Sequence, residues 1–168
     1  ASKVLVICAA ASKAERNWLP ERYAAVADHA VACGYRVMLC GGPTALERTL
    51  AEAIQGFTQS ELEDLVGKTS LLQLLALLKQ ASIVLTPDTG PAHMAVTQGT
   101  PVIGLYAHSN PGRTGPYLSQ DSVVSVYDTI IREQKGDDVP WGVRAKGELL
   151  MQQIEVVAVI EQFNRLRS

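Results

Sequence analysis

The chain reads as an α/β protein, with a mainly parallel sheet covered by helices on both faces. Three observations predict this. Strand-like runs alternate with helix-like ones along all 168 residues. The strand-like runs are continuously apolar, as strands buried on both faces are, and KVLVICAA at the start is the clearest. With 47% hydrophobic and 19% charged residues, the chain also has the composition of a globular domain rather than a disordered one.

The elements follow in order. Lys3–Ala10 is a buried strand, followed by a polar loop, Ala11–Asn17. Pro20-Glu21-Arg22 opens a helix with Tyr23, Val26, Ala27, Ala30 and Val31 on one face, and Gly34 ends it. Arg36–Cys40 is a second strand, Gly41-Gly42-Pro43 a turn, and Thr44–Ile54 a second helix. Gln55–Thr69 has no clear period, and Leu65-Val66 is its one extended candidate. Ser70 caps a helix with Leu71, Leu74, Leu75 and Leu78 inward. Ser82–Thr86 is a strand and Pro91–Gln98 a short helix stopped by Gly99, with Pro101 preventing its continuation. Val102–Tyr106 and Val123–Val126 are strands, Ile130–Lys146 is irregular and polar, and Val156–Leu166 is a terminal amphipathic helix packed through Val157, Ile160 and Phe163. Residues 1–168 form a single domain, without repeat or linker.

Composition excludes several classes. The formal net charge is −2 and no basic stripe is visible, so nucleic acid is not an expected partner. At 5% aromatic residues a base-stacking platform is not expected either. No apolar run approaches the ~18 residues of a membrane-spanning helix, and Val4–Ile7 is too short for a signal peptide. The chain begins at Ala1 rather than Met, which suggests a segment of something longer. Cys8, Cys33 and Cys40 are odd in number and form no CxxC, so they are expected as buried, reduced thiols.

In such a sheet ligands sit beyond the carboxyl ends of the strands, so the loops there are where chemistry is expected. Thr86-Pro87-Asp88-Thr89-Gly90-Pro91-Ala92-His93-Met94-Ala95 runs from a strand into a helix. Gly90 admits close approach to the backbone. The free amides of Thr89, Gly90, Ala92 and His93 would crowd the positive end of the helix, an anion site most often used for phosphate. The same residues also suit a plain helix capped by Asp88 or Thr89, with His93 packed. The loop after the first strand offers Ser12 and two cations, Lys13 and Arg16, suited to a pyrophosphate or to solvent. A third loop, Tyr106–Tyr117, carries His108, Asn110 and Arg113. Gly67-Lys68-Thr69-Ser70 imitates the end of a P-loop, but Leu62 stands where the first glycine belongs. No GxGxxG, GxSxG or DxD occurs, and no metal site is expected.

Asp88-Thr89-Gly90-Pro91-Ala92-His93-Met94-Ala95, followed by Gly99-Thr100-Pro101, resembles the donor-site motif of the family 9 glycosyltransferases, D-[ST]-G-x-x-H-x-A and then Gly-x-Pro. These are the heptosyltransferases that use ADP-heptose to build the lipopolysaccharide core. Arg16-Asn17-Trp18-Leu19-Pro20 resembles the family's K-x-W-P segment. Leu65–Leu71, Asn110-Pro111-Gly112 with Tyr117, and Met151–Val156 are similar to further segments of it. Two departures stand out: Arg16 replaces a lysine, and Leu19 is inserted between Trp and Pro, which leaves open whether Lys13 or Arg16 meets the diphosphate.

The resemblance implies one Rossmann-like half of a GT-B fold, the C-terminal, nucleotide-sugar-binding one. It implies a diphosphate on the amides of Thr89 and Gly90, Asp88 toward the sugar, Ser12, Lys13 and Arg16 along the donor, and Glu47 near the ribose. Asp88 and His93 would stabilise charge on the leaving diphosphate. The general base would lie in an N-terminal acceptor domain, which, with a lipid-linked saccharide, would be the chain's partner. Transfer would be inverting, without metal or other cofactor, and cytoplasmic or peripheral at the inner face of the inner membrane. The domain alone would bind ADP-sugar weakly and turn nothing over. A nucleotide-sugar 2-epimerase using a UDP-sugar and a non-catalytic nucleotide-binding module are the alternatives.

Overall fold

The computed structural model describes residues 3–10, 17–87, 90–106, 124–125 and 150–167, with the backbone alone at 90, 92 and 93. Along them run β1 (Val4–Ile7), α1 (Pro20–Ala32), β2 (Arg36–Leu39), α2 (Ala45–Phe57), β3 (Glu63–Asp64), α3 (Leu71–Gln80), β4 (Ile83–Pro87), α4 (Gly90–Thr97), β5 (Val102–Tyr106) and β6 (Val124–Ser125). A 3₁₀ turn (Leu150–Gln153) and α5 (Val156–Arg167) follow. The strands form one sheet in the order β3-β2-β1-β4-β5-β6, and every pairing is parallel. The α/β layout expected from the sequence is therefore the one observed.

Alternate residues of each strand serve opposite faces. Leu5, Ile7, Ile83, Leu85, Ile103 and Leu105 pack beneath α1, α2 and α5, together with Trp18, Tyr23, Tyr35 and Phe163. Val6, Cys8, Met38, Cys40, Val84 and Val102 face α3 and α4, where Leu78 and Ala95 meet them. β4 and β5 are buried along their whole length, which is why they read as unbroken apolar runs. Cys8 and Cys40 are buried free thiols, while Cys33 is half-buried.

The glycine stops are observed. Gly34 takes φ +88° and Gly99 φ +75°, a region open to glycine without strain. After α1, Gly34 N–H bonds to Val31 O and Tyr35 N–H to Ala30 O; after α4, Gly99 N–H bonds to Val96 O and Thr100 N–H to Ala95 O. Both ends are thus Schellman motifs, which satisfy the last carbonyls of each helix.

Three expectations need correction. The extended piece expected at Leu65-Val66 lies at Glu63–Asp64, and the ladder's last bond there is Leu65 N–H to Leu39 O at 2.8 Å. This edge strand is held by charge rather than by apolar contact. Arg36 bridges Glu63 at 2.6 Å and Arg48 bridges Asp64. Burial pushes the Asp64 carboxyl up, but Arg48 and the Val66 N–H outweigh it and hold it below its ordinary value. Leu71 is not inward: Leu71 and Leu72 are 69% and 78% exposed. They occupy the first turn of α3, ahead of Leu74, Leu77 and Leu78, which pack under the sheet. On α5 the sealed residues are Val159 and Phe163, four apart, while Val157 is 66% exposed. Val157 stands two residues, about 200°, from Val159, away from that stripe.

Candidate functional site

The sheet order sets where a ligand can enter. From β1 the chain builds outward through β2 to β3, and from β4 outward through β5 to β6. The reversal between β1 and β4 opens a crevice at their carboxyl ends, the usual ligand position in open α/β sheets. Ile7 pairs with Leu85 there, and Cys8 N–H continues the ladder to Leu85 O at 3.0 Å. In the sequence, residues 11–16 come after β1 and its extension to Ala10, and residues 88–89 come after β4. The backbone turns helical again at Gly90, so the positive end of α4 begins two residues beyond the central strand. The two loops singled out in the sequence therefore leave neighbouring strands at the same edge.

Ser12, Lys13, Arg16, Asp88 and Thr89 themselves lie outside the described residues, as do His108, Asn110, Arg113 and Tyr117. Gly90 and His93 are placed by their backbone, in the first turn of α4. Among the described residues no three His, Cys, Asp or Glu side chains gather in a group that could hold a metal ion, and no helix is long and apolar enough to cross a membrane.

Glu47 is described in full. It stands in the first turn of α2 and closes a capping box with Thr44, two reciprocal bonds that satisfy the exposed donors of a helix start. Its Oε1 accepts from Gly42 N–H at 2.9 Å and its Oε2 from the Thr44 hydroxyl at 2.8 Å. Burial alone would push the carboxyl up, but the Gly42 and Thr44 donors hold it below its ordinary value. A Cβ at Gly42 would stand 2.8 Å from Glu47 Oε2, so a side chain there would shift the carboxylate. Glu47 also lines a cleft with Ala9, Ala10, Cys40 and Val66. This brings it beside the stem of the loop that carries Ser12.

The other stem is held just as firmly. Trp18 is fully buried and its indole N–H donates to Ile154 O at 2.9 Å. Arg22 donates to the same carbonyl at 2.6 Å and to Gln152 O at 2.5 Å. The segment before α5 is thereby clasped to the start of α1. Sequence reasoning missed Arg22, whose partners are 130 residues away or more. It also took Tyr23 only as a core residue and missed the capping box, although Thr44-Ala45-Leu46-Glu47 carries the T-x-x-E signature.

Comparison with known proteins bears on the fold and the family. Residues 1–138 match the family model of glycosyltransferase family 9 (heptosyltransferase). The chain is 44% identical over 167 residues to the lipopolysaccharide core heptosyltransferase OpsX of Haemophilus influenzae, covering 98% of this chain and 48% of that protein. It is 27% identical over 124 residues to lipopolysaccharide heptosyltransferase 2 of Escherichia coli, 73% of this chain and 36% of that one. Among solved structures, a family 9 glycosyl transferase of Veillonella parvula superposes with a TM-score of 0.77 at 25% identity, over 98% of this chain and 46% of that one. The fold is likewise shared with E. coli heptosyltransferase WaaC, solved with ADP, at a TM-score of 0.72 and 23% identity, over 99% of this chain and 45% of WaaC. The chain thus spans about half the length, or less, of the relatives it matches. Its sheet is one half of the GT-B architecture of those heptosyltransferases, and the chain belongs to glycosyltransferase family 9.

Proposed function

We propose that this chain is the donor-binding domain of an enzyme that transfers heptose, or a related sugar, from an ADP-sugar to a lipopolysaccharide core acceptor. The observation that carries the reading is the register of β1 and β4. It starts the Ser12 and Asp88 loops from adjacent strand ends, and α4 begins two residues beyond the second of them. Family membership and the ADP bound to WaaC support the same ligand here. In this reading the diphosphate lies on the amides of Thr89 and Gly90, Lys13 or Arg16 offsets its charge, and Glu47 faces the ribose. An acceptor hydroxyl attacks the anomeric carbon, ADP leaves, and configuration inverts. His93 stabilises the charge on the departing diphosphate in place of a metal, and Asp88, on the sugar side, the positive charge that develops at the anomeric carbon. The general base comes from an acceptor domain, so the isolated domain binds donor without turnover. The enzyme works in the cytoplasm, peripherally at the inner face of the inner membrane, where a lipid-linked acceptor is presented.

Thermal stability against ADP, an ADP-sugar, UDP and UDP-GlcNAc tests the reading. A ligand that binds only the folded state at ~100-fold excess over Kd adds about 2.7 kcal/mol. The expected shift appears with the ADP ligands and is lost in Asp88→Ala and Gly90→Val. A shift with UDP ligands alone would move the assignment to an epimerase-like domain. Product configuration by NMR and activity in EDTA test inversion and metal independence on the full-length protein.

A further inference from the structure

We propose that Thr44 is a positioning residue for donor binding: its hydroxyl holds the Glu47 carboxylate against the cleft beyond β1 and β2. The inference rests on the reading that places Glu47 at the donor ribose. Thr44 caps α2 by accepting from the Glu47 N–H at 3.2 Å. In a capping box the carboxylate's return bond goes to the N-cap amide. Here that bond is the longest of three, at 3.3 Å. The shorter ones come from the Thr44 hydroxyl, at 2.8 Å, and from Gly42 N–H, at 2.9 Å. The carboxylate therefore leans past the cap toward the turn that follows β2. Among the described residues that line the cleft, Glu47 is the one charged group, beside the apolar Ala9, Ala10, Leu50 and Val66. An ionised group against apolar walls costs free energy unless it is hydrogen-bonded, and capping alone does not require that placement. The Thr44 hydroxyl can serve cap and carboxylate together because a hydroxyl accepts one bond while donating another. A carboxylate accepts about four hydrogen bonds, so its three protein donors fix its plane and leave room for about one ligand hydroxyl. A charged side chain held in this way loses little freedom when a ligand binds.

Thr44→Val keeps the shape of the side chain and removes both bonds. Measured on the full-length protein, ADP Kd is expected to rise by about fivefold to tenfold. Donor KM is expected to rise in step while kcat stays within about twofold. Thr44→Ser, which retains the hydroxyl, is expected to keep ADP Kd within about twofold of the parent. Thr44→Asp keeps an acceptor for the cap but has no hydroxyl to donate. It is expected to retain a urea midpoint above that of Thr44→Val and yet to weaken ADP as much. In the Glu47→Ala background the residue 47 amide remains to be capped, but no carboxylate is left to hold. There Thr44→Val is expected still to lower the urea midpoint, while neither Thr44 variant changes ADP Kd by more than about twofold. Thr44→Val or Thr44→Asp binding ADP like the parent overturns the proposal. Equal losses with and without Glu47 also overturn it, and would make Thr44 a helix cap alone. If Glu47→Ala leaves ADP affinity unchanged, the ribose reading falls and Thr44's role falls with it. If Glu47→Ala weakens ADP and the Thr44 variants do not, the ribose reading stands and only the positioning role falls.

Discussion

The two faces of the sheet are built differently. Beneath α1, α2 and α5 lie the large rings, Trp18, Tyr23, Tyr35 and Phe163, all buried. Phe163 meets Tyr35 at 4.9 Å and His29 at 5.6 Å, edge to face in both cases. Long-range polar contacts reinforce this face: His29 with Asn164 at 2.8 Å, and Arg22 with the segment before α5. The α3–α4 face is thinner, made of valines, cysteines, Ala95 and Leu78, and α3 leaves Leu71 and Leu72 in water. The lesson is that long-range anchoring is concentrated on one face. The aromatic face holds the distant C-terminal segment against the start of α1, while the thin face carries the short α4 that follows β4.

This asymmetry can be broken from the strong side first. Phe163→Ala should lose about 3–5 kcal/mol of stability in urea unfolding. Val84→Ala, on the thin face, should lose only about 2 kcal/mol, and equal losses would refute the asymmetry. Next is Asp28, whose carboxylate accepts from the Thr58 hydroxyl and the Gln59 N–H, joining α1 to the end of α2. Asp28→Asn should cost about 1–2 kcal/mol, read as a lower midpoint with unchanged slope.

Acid sharpens the same comparison. Burial pushes Asp28 up, but Thr58 and Gln59 hold its carboxyl below the ordinary value, and Glu47 and Asp64 are lowered likewise. A lowered folded pKa contributes stability that is complete above the unfolded pKa of about 4 and is lost as pH falls through the folded value. All three carboxylates sit on elements of the aromatic side or the sheet edge beside it. Stability should therefore decline below about pH 4, and the decline should flatten in Asp28→Asn combined with Glu47→Gln. The smallest effect is expected at Leu72→Gln, within about 0.5 kcal/mol, because nothing seals that side chain.

Much of this was legible in advance, for physical reasons that differ by region. Buried parallel strands are apolar throughout, so β1, β2, β4 and β5 announce themselves, and Gly34 and Gly99 mark helix ends because only glycine takes those angles cheaply. β3 was displaced because two residues held by Arg36 and Arg48 carry no apolar signal. Leu71 and Val157 were misread because a leucine or valine at helical spacing looks the same whether or not the sheet reaches it. In the candidate site, the Asp88 motif and the Ser12 loop were legible as residue types following strands. What brings them to one edge is strand order, which no local window contains.

The burial of Trp18 has an optical consequence. The chain holds two tryptophans, Trp18 and Trp141, and the first has its indole N–H engaged by a carbonyl in a dry pocket. Replacing Trp141 with phenylalanine would leave a single tryptophan, just ahead of α1. Its emission should be blue-shifted at rest and should move to the red when that corner takes up water. Opening of this corner could then be timed without attaching any label.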